Sequence, residues 1–212
     1  MYIERSFINI SPQMLAGLAR NAKGQLQAIF LHWTAGNYHQ HFKDYHLCID
    51  GDGKVYSTCM NLLEKKSHTW HRNSNSVGIA LDCCYGAQCH RRSDEELDKD
   101  REKGIVSPQK YGADWYLYPP TPQQIMSMAY AVALICYHAD LPINASTVMT
   151  HAEIAKVDNY DIESDDPEKK WDLLVLPGTQ ESGGDYIRKM AKAYLAKLKR
   201  DREKLTEELI NQ

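Results

Sequence analysis

The sequence predicts a globular α/β domain, and three observations carry that expectation. Short runs rich in β-branched and aromatic residues alternate with longer stretches whose apolar residues recur at helical spacing. The length, 212 residues, suits one domain with extensions and a sizeable core. The balance of 43% hydrophobic and 25% charged residues is that of a folded chain, not of a disordered or fibrous one.

Residues 11–20, SPQMLAGLAR, open with Ser11 as an N-cap and Pro12 at the first helical position. Met14, Leu15 and Leu18 follow at helical spacing, so a short helix is expected there. Gln27 to Thr34, QAIFLHWT, reads as a buried strand running into Ala35-Gly36, with His32 at its C-terminal end. YHLCID and KVYSTC flank Gly51-Asp52-Gly53, a hairpin in which both glycines are expected to supply positive φ. SVGIALD, residues 76–82, is a further strand approached through the polar loop HRNSNS.

From Tyr85 to Pro120 a dense mixed-charge run gives way to an aromatic- and proline-rich one, which reads as a surface insertion. Thr121-Pro122-Gln123-Gln124 makes a capping box for a helix that runs to about His138 and is ended by Leu141-Pro142. Val148 to His151 suits one more short strand, and Val157 to Glu168 an acidic loop. Asp185 onward reads as a charged helix with Ile187, Met190, Tyr194, Leu198 and Leu205 on one stripe. The expected organisation is a domain over residues 1–184, with the insertion at about 85–120, followed by the helix 185–212.

A formal net charge of -3 gives no basic field for polyanions, so nucleic acid is not favoured as a partner. The longest apolar stretch, Met128 to Tyr137, is far short of the roughly 18 residues that a membrane span needs, and no integral membrane segment is expected. Met1 to Ile10 lacks the apolar core and cleavage site of a Sec signal peptide, which leads to the expectation of synthesis in the cytoplasm. Cys48, Cys59, Cys83, Cys84, Cys89 and Cys136 are irregularly spaced and fit reduced thiols. Cys83, Cys84, Cys89 and His90 lack the paired CxxC spacing of structural zinc sites.

Among nine histidines, His32 and His151 stand out, because each closes a predicted strand where a rigid sheet presents ligands to a cleft. A catalytic zinc site wants three protein ligands and an open position. Asp172, set between Trp171 and an apolar run, fits the third place; a helix N-cap is the other reading of the same residue.

The ordered set IFLHWTAG, DYHLCIDGDGKVY, SHTWHRNSNSVGIAL, TPQQIMSMAYAVALICYH, MTHAEIA and KKWD resembles the zinc-dependent N-acetylmuramoyl-L-alanine amidases of type 2 over roughly residues 27–176. That family includes phage amidase lysozymes and is similar to peptidoglycan recognition proteins. The resemblance implies a central mixed β-sheet flanked by helices with a zinc cleft on one edge. It implies Zn2+ held by His32, His151 and Asp172, and peptidoglycan or a muropeptide as substrate, with the chain expected to be a monomer. By the same resemblance Lys170, two positions before the third ligand, stabilises the oxyanion, and Tyr45 orients water or the scissile carbonyl. Solvated lysine and sheet aromatic are the plain readings of these two. His68, Trp70, His71 and Asn75 are expected to line the substrate groove, with a polar loop as the plain alternative.

Two departures from the family pattern matter. Several members carry a catalytic glutamate where this chain has Ala80, a departure shared with phage lysozymes of the family. The spacer from His151 to Asp172 is also long, which makes Asp166 a competitor for the third place; Asp172 is preferred because only it has a lysine two positions earlier. The expected activity is zinc-dependent hydrolysis of the amide joining N-acetylmuramic acid to L-alanine, as a phage or prophage endolysin acting on the wall after release. The alternatives are a non-catalytic peptidoglycan-binding module and a cytosolic muropeptide-recycling amidase.

Overall fold

Strand β2 (Ala28–Trp33) is the axis of the sheet, pairing in parallel with β5 (Ser76–Leu81) on one side and β8 (Val148–Thr150) on the other. The computed structural model describes residues 6–105, 109–159 and 170–210. Beyond β5 lies β3 (Leu47–Ile49), also parallel, which turns back into antiparallel β4 (Val55–Ser57). A short strand β1 (Ile8–Asn9), not anticipated from the sequence, adds to β4, and the mixed sheet runs β1-β4-β3-β5-β2-β8.

Register sorts the side chains onto two faces, because paired residues point the same way and successive ones point opposite ways. Ile29, Leu31 and Trp33 align with Val77, Ile79 and Leu81, and the last two align with Leu47 and Ile49. This face joins the apolar sides of α1 (Pro12–Asn21), α3 (Pro122–Ala139) and the first half of α5 (Gly183–Ile210) in one core, through Leu15, Met128, Val132 and Ile187 among others. Each such buried aliphatic is worth roughly 1.5–3 kcal/mol. On the other face Phe30 and His32 align with Gly78 and Ala80, small neighbours that leave room above the sheet.

Thr121 and Gln124 form both bonds of the expected capping box at the start of α3, and Gln124 Nε2 also donates to the carbonyls of Ile49 and Asp82. The helix ends at Asp140, which takes a left-handed conformation just ahead of Leu141-Pro142. The hairpin between β3 and β4 differs from expectation in one respect. Gly53 has φ of 84°, but Gly51 is not in the positive region; it is needed for space, since a Cβ there would lie 2.6 Å from Tyr38 Cγ.

The stretch read as an insertion has regular structure of its own. Strands β6 (Gln88–Arg91) and β7 (Tyr111–Asp114) pair antiparallel, and between them the charged run forms α2 (Asp94–Glu102), capped by Ser93 and Glu96. Trp115, just after β7, packs edge-on against Trp33 at 5.7 Å and beside Trp171 at 6.0 Å. At the other end of the chain the apolar stripe of α5 stays on the core through Leu198, while Leu205 is exposed, contrary to the stripe read from the sequence. Among the described residues no helix is long and apolar enough to cross a membrane, and the six cysteines are free. The expected acidic loop falls mostly in 160–169, outside the described residues, as does Asp166.

Candidate metal centre

His32 projects from β2 on the face opposite the core, fully buried. Thr150, the last residue of β8, is the N-cap of α4 (His151–Val157), so His151, read from the sequence as the end of a strand that gives way to a loop, instead opens a helix. Thr150 Oγ1 accepts from the Glu153 N–H at 3.1 Å and Glu153 Oε2 from the Thr150 N–H at 2.8 Å, a capping box that fixes the direction in which His151 leaves the sheet. Asp172 stands in a turn, not at a helix N-cap, and its carbonyl accepts the Ala152 N–H at 3.0 Å. One of the orphan amides of the first turn of α4 is thereby satisfied by the backbone of the third site residue.

The three side chains meet. His32 Nδ1 lies 3.1 Å from His151 Nδ1 and 3.0 Å from Asp172 Oδ2, and His151 Nδ1 lies 3.2 Å from the same oxygen. Protons cannot satisfy all three edges: hydrogens on both rings set two N–H groups against each other, and a hydrogen on one ring leaves a lone pair facing the carboxylate. A cation at the centre removes the conflict. An ion with tetrahedral bonds of about 2.0–2.1 Å holds its ligand atoms roughly 3.4 Å apart, close to the spacing seen. Among the described residues no other set of three or more His, Cys, Asp or Glu side chains brings its ligand atoms together in this way, Cys83, Cys84, Cys89 and His90 included.

Electrostatics prepares the same state. Burial lowers the His32 pKa to about 4, against the hydrogen bond it shares with Asp172, and the charges of His151 and Lys170 push it the same way. Burial alone would raise Asp172, but His151, by charge and hydrogen bond, and then His32 hold its carboxyl well below the usual carboxylate range. At neutral pH the site therefore offers a neutral His32 and an ionised Asp172, the protonation states that metal binding requires.

Of the other sequence-predicted residues, Tyr45 reaches the centre: its ring centroid is 5.2 Å from that of His32. Burial first, then the Asp172 charge, push its phenol above the ordinary tyrosine value, so it remains an O–H donor. Lys170 is exposed, and its charge is felt at His32. His68 is buried, its ring 5.5 Å from that of His32 and lodged over Gly78, where a Cβ would come within 2.5 Å of its Cγ. It therefore packs behind the centre and does not stand on an open groove. Trp70 and His71 are exposed with their rings 3.7 Å apart, whereas Asn75 precedes β5 at the end of the strand remote from His32.

Three features escaped the sequence reading. Thr69 Oγ1 lies 3.3 Å from His32 Nε2. Arg188 on α5 donates to both oxygens of Glu153, at 2.7 and 2.8 Å, and to the Val148 carbonyl at 2.9 Å, bracing the helix that carries His151. Gly184 permits that approach, since a Cβ there would lie 2.4 Å from Glu153 Oε1. Ser, Thr, Arg and Gly are common enough that spacing alone carries no signal for such contacts.

A family model described as N-acetylmuramoyl-L-alanine amidase matches residues 22–172, well over half of the chain, from just before β2 to the third residue of the triangle. No curated protein matches the chain.

Proposed function

We infer, from the premise that this chain belongs to the N-acetylmuramoyl-L-alanine amidase family, whose reaction is hydrolysis of an amide in peptidoglycan, that it is a zinc enzyme cleaving the bond between the lactyl group of N-acetylmuramic acid and L-alanine. The observation that carries the reading is the buried triangle of His32, His151 and Asp172, whose two imidazoles and one carboxylate are a donor set suited to Zn2+. When bound, the ion supplies Lewis-acid polarisation of the scissile carbonyl and lowers the pKa of a water from 15.7 to about 7.

The protein supplies the rest. His32, His151 and Asp172 hold the ion, each fixed by a different element: a strand, a capped helix and a turn bonded to that helix. Tyr45, kept protonated by burial, donates its phenolic hydrogen to the reacting oxygen. Lys170 supplies positive charge as the carbonyl oxygen becomes an oxyanion, a stabilisation for which single donors are typically worth roughly 3–4 kcal/mol. Trp70 and His71 form the exposed rim of the substrate groove. Ala80, the neighbour of His32 across the sheet, offers no carboxylate, so proton acceptance falls elsewhere. That shared departure from the family pattern supports a phage-type endolysin acting on intact wall.

Mass spectrometry of purified sacculi after incubation tests the reading. Release of peptides with a free L-alanine amino terminus is expected, abolished by chelation and restored by Zn2+. Intact stem linkages under all three conditions overturn it, and cleavage of soluble muropeptides with sacculi untouched overturns the endolysin role alone.

A further inference from the structure

A line of hydrogen bonds runs away from His32 and ends on a group whose role cannot be reversed. The Arg72 carbonyl can only accept, and Ser76 Oγ lies 2.6 Å from it, which commits the serine hydrogen there. Ser76 Oγ is then left to accept from His68 Nε2, 3.4 Å away. A neutral imidazole carries one N–H, so His68 Nδ1 is an acceptor, and Thr69 Oγ1, 3.0 Å from it, donates. Thr69 Oγ1 in turn accepts from His32 Nε2 at 3.3 Å. With its hydrogen on Nε2, His32 presents a bare lone pair at Nδ1, the nitrogen that faces His151 and Asp172.

We propose that the sequence Arg72 carbonyl, Ser76, His68, Thr69 selects the Nε2–H tautomer of His32 and so makes its Nδ1 a ligand, with Thr69 and His68 as positioning residues for the metal. The selection has work to do, because Asp172 Oδ2, 3.0 Å from Nδ1, draws the hydrogen to the opposite nitrogen. The surroundings are built for it. Ser76, His68 and Thr69 are buried, so water does not compete; Asn73 Oδ1 accepts the Thr69 N–H at 2.8 Å, and Gly78 makes room for the His68 ring. Partners of this kind fix ring orientation and tautomer, and their loss typically weakens metal binding about 10–100-fold. The inference rests on the metal reading above and adds two residues to it.

The test is competition of the full chain against a chromogenic chelator for Zn2+, with 15N-histidine NMR of the metal-free protein. Thr69→Val keeps the shape and removes the hydroxyl; we expect it to bind Zn2+ about 10–100-fold more weakly. Thr69→Ser, which restores the hydroxyl, should stay within about threefold of the parent on the same scale. In the metal-free parent, His32 should show its hydrogen mainly on Nε2, a readout that needs no variant to fold. Parent-like affinity in Thr69→Val, equal weakening in Thr69→Ser, or a parent His32 protonated on Nδ1 overturns the relay while leaving the metal site standing. A parent that takes up no Zn2+, or uptake that survives Asp172→Ala, overturns the metal reading and the relay with it.

Discussion

Asp172 and Asp82 are both buried aspartates with an imidazole nitrogen against Oδ2, and the two are driven to opposite charge states. Asp172 faces two imidazoles, which overcome the effect of burial and keep it ionised. Asp82, one residue past β5, faces only His41, whose Nδ1 is 2.5 Å from Oδ2, and its Oδ1 is buried without a hydrogen-bond partner among the described residues. Burial first, then the charge of Asp50, raise its carboxyl to about 9, and burial also lowers His41. The pair is therefore neutral at pH 7, with the Asp82 hydroxyl donating to His41. The number of imidazoles facing each carboxylate, more than depth, accounts for the opposite charge states of these two buried acids.

The same substitution at both sites gives the largest contrast. Asp172→Asn should weaken zinc binding by more than about 10³-fold, beyond the 10–100-fold that follows loss of a neighbour of a ligand, and abolish turnover. Asp82→Asn should leave zinc content and turnover at pH 7 within about twofold, since the acid it replaces is already neutral. Zinc titration and peptide release measure both, and similar losses at the two positions would erase the distinction. Lys170→Ala comes next, with turnover lower by about 10²–10³ at unchanged zinc content. Full turnover there removes the oxyanion role.

Arg188→Met tests how the ligand-bearing helix is held. It leaves Glu153 without its bidentate partner, a loss of about 3 kcal/mol that lowers the melting temperature by roughly 6–12 °C. Zinc affinity should fall with it, because the Glu153 cap sets the direction of His151. A further contrast lies in pH dependence. The metal-free chain buries His32 and His46, both lowered to about 4, and His68, lowered to about 2, with burial the leading cause in each. Between pH 4 and the ordinary histidine value near 6.5 the unfolded chain binds more protons at these sites, so stability rises with pH, by up to about 1.4 kcal/mol per unit for each. Asp82 has the opposite sign: its folded pKa lies above the unfolded one, so its contribution falls as pH rises from about 4 to 9. Asp82→Asn should remove that alkaline decline in a melting-temperature profile, and a profile unchanged by it would contradict the neutral pair.

The site was more legible in the sequence than its support. His32 lies at the end of a run of large apolar residues that reads plainly as a buried strand, whereas a reading that carries the next strand through His151 passes over the capping box spelled by Thr150-His151-Ala152-Glu153. A metal ligand is one of two readings of Asp172, and only the resemblance favours it, because its partners are 21 and 140 positions away. The strands β2 and β5 were plain, yet the meaning of Gly78 and Ala80 appears only when register sets them beside Phe30 and His32. The charged run 94–102 gave little apolar periodicity, and its helix is held by the Ser93–Glu96 cap and the Arg92–Asp100 ion pair in place of a buried face. Leu205 fits the stripe of α5 by spacing, but the core ends before it, a tertiary fact that periodicity does not contain.

Zinc X-ray absorption of the loaded full-length chain tests the central claim most directly. The account predicts a first shell of nitrogen and oxygen at about 2.0–2.1 Å with the scattering of two imidazoles, and no sulfur. A sulfur shell at about 2.3 Å, placing the ion on the cysteines, or a chain that retains no zinc, would contradict it.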